Sequence, residues 1–365
     1  MVSRFRLLLA GITVGFGLSV VLLSGTTSAA GIPITLTTTP VSLDLHISPG
    51  TETTSTLQFK NSSSIPLPVT MQVQVFGAYG STGQAAISQP KAGDISTSWV
   101  SFSPSTFTAQ PNVWTSVKMT IKLPKTASLG YYYAVIFKPT IPNATPTARS
   151  TSIKGSNAIL VLVDSSSGNE KRSINVQSFT ASKHVYEYLP VNFTVTLHNS
   201  GNIYLAPSGD IFISRHSDIS HTIATIPVNP NGANILPKSN RVFTSSWNDG
   251  FPVFKAKTLD GRPVLSSKGQ PVYRLDWNFS SPLSKLRFGK YYAQLAVSYN
   301  NGTSNKLLVS QISFWVIPWP LIIGLVIILA VFIKQFWSTG KSLYHRVLSN
   351  PVKSKSSQRD GKKNE

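Results

Sequence analysis

The 365-residue chain contains no cysteine. That excludes thiol nucleophiles, thiolate metal sites and disulfide staples, so each domain of an exported chain must stand on buried apolar surface alone. Acidic residues are scarce too, with 13 Asp and Glu against 33 Lys and Arg and a formal charge of +20. Such widely spaced carboxylates argue against a glycosidase pair, which the fold would have to assemble. Charged residues make up only 13% of the chain, a balance that suits strands with Thr- and Ser-rich outer faces better than long charged helices. Missing as well are a Gly-x-Ser-x-Gly elbow, an HExxH pair, an EF-hand loop and a phosphate-cradling glycine motif. We therefore expect a non-enzymatic protein with no catalytic residue, no cofactor and no metal. The densest cluster of possible ligands, His216, Asp218 and His221, has Arg215 beside it and reads as a solvated hairpin tip. His46, His184 and His198 read as ordinary strand or loop residues.

What the chain does contain is two long apolar runs at its ends. Arg4 and Arg6 precede an apolar stretch from Leu7 to Leu23, followed by small residues up to Ala30. This is the layout of a secretory signal over residues 1–30, cleaved after Ala29 or Ala30, or else, since the apolar run is long, of an uncleaved signal anchor. A second run extends from Phe314 through Ile333, with Trp315 and Trp319 at one end and Phe336 and Trp337 at the other. Aromatic residues at both ends are what the two interfaces of a bilayer favour. We expect a transmembrane helix over 314–336. Lys334, Lys341, Arg346, Lys353, Lys355, Arg359, Lys362 and Lys363 follow it. By the positive-inside rule they place a short basic tail, 337–365, in the cytoplasm and the N-terminal part outside the cell membrane.

Between the two runs lie 23 basic and 11 acidic residues. They are scattered, without a stripe or motif, so nucleic acid is not an expected partner. A basic ectodomain is drawn to anionic wall polymer or lipid head groups, or its cations simply solubilise a polar β surface.

Hydrophobicity in this central region has period two. Val69, Met71, Val73 and Val75 alternate with polar residues; so do Val117, Met119, Ile121 and Leu123, and again Val191, Phe193, Val195 and Leu197. Each run is a strand with one buried face. Ala158–Val163 is apolar throughout and is expected to be covered on both faces. In the tyrosine-rich segment, Tyr131, Tyr133, Val135 and Phe137 share one face and are expected in a core rather than as a stacking platform. Turn residues recur between the runs, as in a β-sandwich. The chain also repeats itself. Gly130-Tyr131-Tyr132-Tyr133-Ala134 is echoed by Gly289-Lys290-Tyr291-Tyr292-Ala293, and Phe59-Lys60-Asn61-Ser62 by Leu197-His198-Asn199-Ser200. The second copy is longer, by a segment near Phe251–Gln270. Two copies of one unit are expected, 31–166 and 167–313, joined near Ser165–Arg172. Asn-x-Ser/Thr patterns occur at Asn61, Asn143, Asn192, Asn278 and Asn301. Asn61 and Asn199 are expected to serve turns.

With Leu45-His46-Ile47-Ser48-Pro49-Gly50, the Phe59–Ser62 strand end and Ile121-Lys122-Leu123-Pro124, the chain resembles the WxL-interacting proteins of Gram-positive bacterial surfaces. The resemblance implies an all-β chain of two tandem immunoglobulin-like β-sandwiches behind a signal peptide, with one C-terminal transmembrane α-helix. It also implies a first domain associated with peptidoglycan and a membrane-proximal part that engages another surface protein. No individual binding residue is carried over. The expected function is that of a single-pass, membrane-anchored envelope protein binding cell-wall polymer or another surface protein, through surface complementarity or strand addition at an exposed sheet edge rather than a deep pocket. The alternative is an accessory subunit of a membrane protein complex.

Overall fold

The computed structural model describes residues 35–127, 129–140, 157–165, 168–277 and 283–348. The expected signal peptide, the tail beyond residue 348, and Asn143 and Asn278 lie outside the described residues. The first half of the chain forms β1 (Leu36–Thr39), β2 (Ser42–His46), β3 (Glu52–Asn61), β4 (Leu67–Tyr79), β5 (Gln84–Ser88), β6 (Val100–Ser103), β7 (Thr106–Ala109), β8 (Trp114–Lys122), β9 (Leu129–Pro139) and β10 (Ala158–Ser165). The second half forms β11 (Ile174–Ala181), β12 (Val185–Tyr186), β13 (Val191–Asn199), β14 (Ser208–Ser214), β15 (Thr222–Val228) and β16 (Asn240–Trp247). It continues with β17 (Val253–Ala256), β18 (Thr258–Leu259), β19 (Arg262–Pro263), β20 (Tyr273–Asp276), β21 (Gly289–Asn300) and β22 (Asn305–Val316), and ends in a helix, α1 (Trp319–Leu348).

These strands make two β-sandwiches of the same topology. In the first, the sheet β1-β3-β8-β6 faces β2-β10-β9-β4-β5; in the second, β11-β13-β16 faces β12-β22-β21-β14-β15. In both, the opening strand crosses from one sheet to the other and finishes parallel to the closing strand, β2 beside β10 and β12 beside β22. That is the immunoglobulin-type arrangement. Each sandwich has its own core. Leu57, Phe59, Met119, Ile121, Tyr133, Val135 and Phe137 fill the first. Phe193, Val195, Trp247, Tyr291, Leu295 and Phe314 fill the second. The expected core face of β9 is the observed one: Phe59 stacks on Phe137 with ring centroids 5.0 Å apart, and the Tyr133 hydroxyl donates to the Ser96 carbonyl at 3.2 Å.

β10 explains its own composition. Ile159, Val161 and Val163 face the first core, while Leu160 and Leu162 join Phe76 and Ala134 beneath Tyr204 and Leu236 of the second sandwich. The strand is apolar on both faces because the neighbouring sandwich covers its outer one. Polar contacts complete this joint. The Tyr204 hydroxyl donates to the Asp44 carboxylate, Arg172 reaches the buried Asp164 carboxylate at 3.3 Å, and the Val242 N–H donates to the Ser81 carbonyl at 2.9 Å.

The repeated Asn-Ser sites are fully buried clamps. Asn61 Nδ2 donates to the carbonyls of Ile65 (2.7 Å) and Ala109 (3.0 Å), and its Oδ1 accepts the Ser63 N–H (3.0 Å). Asn199 repeats the pattern with Ile203 (2.8 Å), Ile235 (2.9 Å) and the Gly201 N–H (2.9 Å). Each carboxamide ties a strand end to the next loop and to a third segment far along the chain. A Cβ at position 201 would collide with the Lys171 carbonyl, which accounts for glycine where the first copy has Ser63. Burial also removes Asn61 as an acceptor for glycosylation.

Two sequence expectations need correction. Aligning Gly130 with Gly289 pairs Tyr132 with Tyr291, yet Tyr132 packs at the joint between sandwiches and Tyr291 in the second core. The matched letters are one residue out of register, and in a strand one residue reverses the face. The extent of the apolar C-terminal run is the second. Residues 314–316 belong to β22 and close the second sandwich, with Phe314 and Val316 buried and Trp315 outward. Hydropathy does not separate a buried strand from a helix abutting it, whereas the in-out-in alternation does. α1 begins at Trp319 and runs unbroken to Leu348, so the expected tail from 337 begins as helix. The stretch Trp319–Trp337, with a mean hydropathy of 2.2, is long and apolar enough to cross a bilayer.

The extra segment of the second copy is the β17–β20 hairpin, inserted between β16 and β21 and rooted by rings of Phe251 and Trp277, 6.0 Å apart. Beside its root, the Asp249 carboxylate receives Lys285 at 2.6 Å and Arg287 at 2.9 Å. Lys285 foremost, then Arg287, holds the Asp249 carboxyl below the usual range.

Replacing either clamp by alanine strands two carbonyls and one N–H in a dry interior. Asn61→Ala and Asn199→Ala are each expected to cost roughly 2–4 kcal/mol. Exposed Asn192→Ala is expected to cost under about 0.5 kcal/mol; urea unfolding of the detergent-solubilised chain measures all three. Because the folded pKa of Asp249 is depressed, its stabilising contribution is present above the unfolded value of about 4 and is lost as pH falls through the folded value. Asp249→Asn is expected to flatten the acid limb of the stability profile, read as melting temperature against pH.

Candidate functional site

His216 and His221 do come together, with ring centroids 5.7 Å apart, but Asp218 turns its carboxylate to the Ser220 N–H and hydroxyl at 3.1 and 2.8 Å. Among the described residues no group of three His, Asp or Glu side chains is placed to hold a metal ion. His198 bonds Asn240 at 2.7 Å, and His46 lies 3.8 Å from Asp164. A cleft of about 890 Å³ lies between the β4–β5 turn and the β11-β13-β16 sheet. Its lining includes Ser81, Gln177, His198, Lys238 and Asn240 but no carboxylate. Nothing there pairs an acid with a base or a base with a nucleophile.

The feature with chemistry to offer is backbone. β22 pairs with β21 along its whole length, from Asn305 to Val316. On its other side β12 pairs only with Trp315 and Val316, while β11 of the facing sheet runs close by without hydrogen-bonding to it. In the first sandwich the equivalent closing strand, β10, is covered by five residues of β2. The difference arises in the opening strand. β11 stays in its first sheet for eight residues where β1 stays for four, and only two residues remain to cross over as β12.

Phase along β22 fixes which groups are free. The Trp315 N–H donates away from β21, to the His184 carbonyl at 2.8 Å. With period two, the N–H and C=O groups of Leu307, Val309, Gln311 and Ser313 point to that same side. None of them has a backbone hydrogen bond there among the described residues. Side chains of the same residues stand on the outer face of the sheet, with Leu307 61% and Val309 53% exposed. Sheet edges are normally blunted by proline, bulges or inward charge. β15 carries Pro227 and a register shift where β14 meets it, and β11 a register shift after Val176. Between Asn305 and Phe314 there is no proline and no register shift, and one lysine, Lys306.

Sequence reasoning anticipated an exposed edge without locating it. Leu307 and Val309 alternate with Leu308 and Ser310 too weakly to mark an edge, and the missing cover depends on where β11 crosses between sheets.

No family model matches the chain, and no curated protein does. Among solved structures it is similar to the class 5 fimbriae chaperone CfaA, at 15% identity over 75% of this chain and 98% of that one, TM-score 0.36. It is also similar to the CupB2 chaperone of Pseudomonas aeruginosa, at 10% identity over 75% of this chain and 98% of that one, TM-score 0.29. The E. coli chaperone DraB matches at 11% identity over 76% of this chain and 98% of that one, TM-score 0.30. At such scores nothing about activity or partner passes to this chain.

The phase of β22 yields a stability contrast. Proline at 309 removes an N–H that faces the open side, and is expected to cost under about 1 kcal/mol at an edge. Proline at 308 removes a bond to β21 and is expected to cost about 3 kcal/mol or more. Denaturant unfolding of Val309→Pro and Leu308→Pro measures the difference, and equal losses would mean the open side has been misassigned.

Proposed function

We propose that this protein is a non-enzymatic, membrane-anchored binding protein of the cell envelope, and that β22 is where it takes a partner. The observation that carries the reading is the unblunted edge from Asn305 to Phe314, which offers four backbone N–H and four C=O groups in strand geometry beside exposed Leu307 and Val309. Only another peptide backbone complements such a ladder along its length. The edge therefore favours an extended segment of another surface protein over wall polymer. Main-chain bonds would supply affinity, and alternate side chains of the incoming strand would meet Leu307 and Val309 on the outer face.

Anchoring is supported by α1, whose apolar stretch has no protein cover at all. An uncovered apolar helix of this length is unfavourable in water and suited to lipid. The basic residues that follow orient the chain with both sandwiches outside. This architecture accords with the WxL-interacting resemblance, including a membrane-proximal domain as the one that engages protein.

Capture of solubilised surface proteins by the full chain in nanodiscs tests the reading. Val309→Pro is expected to reduce capture of a defined partner at least tenfold while its melting temperature stays within a few degrees of the parent. Undiminished capture by Val309→Pro would remove β22 as the site. Retention on isolated cell wall that fades with salt, without protein capture, would point instead to electrostatic binding of polymer.

A further inference from the structure

The second sandwich joins α1 without a linker. β22 ends at Val316, the Ile317 N–H still donates to the Tyr186 carbonyl at 2.7 Å, and the helix starts at Trp319. By the Ile322 N–H it is already bonded back to the Pro318 carbonyl at 3.2 Å. Only Ile317 and Pro318 separate sheet from helix, and the Trp319 N–H donates to the Ile317 carbonyl at 2.8 Å, so whatever surrounds the start of the helix also meets the end of the sandwich.

That end is apolar. On the outer face of the sheet Val185 is the partner of Trp315 and Lys290 lies opposite Trp315, while Phe288 precedes Gly289, the partner of Val316. Val185, Phe288 and Trp315 are each about half exposed, at 53%, 52% and 46%. Leu286 and Trp277 are exposed on the adjoining loops. The cations interspersed among them are drawn back from the rim. Lys285 and Arg287 are held on Asp249, and the Lys290 ammonium lies over the Tyr292 ring, 4.9 Å from its centroid and one row further from the helix. Lys183, His184 and Glu187 flank the rim.

Levels can be compared. Trp319–Trp337 spans about 28 Å as a helix, close to the roughly 30 Å hydrocarbon core of a bilayer. Phe288 stands level with Ile317, so it lies about 5 Å beyond Trp319, within the roughly 5–7 Å head-group layer on that side. Aromatic side chains with an apolar body favour this layer.

We propose that the rim formed by Phe288, Leu286, Trp277, Trp315 and Val185 is a lipid-docking surface, seated in the head-group and glycerol layer of the outer leaflet. The occupant is the phospholipid interface itself. The seat fixes the second sandwich upright on the membrane and presents the open side of β22 at a set height above it. This inference rests on the anchoring proposed above.

The absence of native cysteine makes the test direct. The full chain carrying Ser284→Cys, labelled with an environment-sensitive fluorophore, is reconstituted into phosphatidylcholine vesicles that contain a head-group spin-labelled lipid. The same label at Ala92→Cys, exposed in the first sandwich, is the reference. Quenching at 284 is expected to exceed that at 92 at least threefold. Adding Leu286→Ser and Phe288→Ser is expected to lower it at least twofold with an unchanged melting temperature. Equal quenching at 284 and 92 in chain that floats with the vesicles and resists alkaline extraction would overturn the seat and leave anchoring intact. Quenching undiminished by the two serines would also overturn it. Chain that fails to float with vesicles would overturn the anchoring, and the seat with it.

Discussion

Two buried carboxamides stand where a small sandwich with cysteines could use a covalent staple. Asn61 and Asn199 each bond three backbone groups from two separate loops, at 0% exposure. An asparagine in that position satisfies donors and acceptors that a turn leaves facing the core, where each unmet group is costly. The positions of the following strands, β4 and β14, are set from these points, as is the approach of the distant segments ending at Ala109 and Ile235. The remaining architecture hangs from this pair: the same sheet order twice, each time with the closing strand second from one end of the longer sheet, beside the short strand that has crossed over.

The recurrence of one sandwich topology was legible in the sequence, though for mixed reasons. The Asn-Ser pairs repeat because a specific hydrogen-bonded geometry repeats. The Gly-Tyr-Tyr similarity is a coincidence of letters, since Tyr132 and Tyr291 face opposite ways. Alternating runs such as Val117–Leu123 and Val191–Leu197 identified strands and their inner faces correctly, because a half-buried strand writes its orientation with period two. Ala158–Val163 stood out for lacking that alternation, and the reason is a partner sandwich rather than a helix or membrane.

What sequence could not reach depends on tertiary pairing. The division at Phe314 escaped hydropathy because the core strand and the helix that follows it are both apolar. Pro318 and the alternation of Phe314, Trp315 and Val316 carry the boundary. Openness of β22 was equally hidden, as it is set by the length of β11 and the brevity of β12, more than a hundred residues upstream. Exposure of a backbone edge leaves little imprint on the side chains of the strand that owns it.

The geometry of the open edge and of the helix then bear on each other. β22 leads into α1 through Ile317 and Pro318 alone, so a strand added along Asn305–Phe314 would end close to the start of the helix. The added strand's end nearest β12 must clear Val185 and Trp315, which leaves Leu307 to Ser313 as the accessible register. The apolar rim and the open edge thus occupy different parts of one strand, with exposed aromatics at the end where β12 closes the ladder and backbone groups unpaired among the described residues where it does not. A sandwich attached by a long linker could turn freely on the helix; here only Ile317 and Pro318 intervene, and turning at them would break the bond from the Trp319 N–H to the Ile317 carbonyl at 2.8 Å.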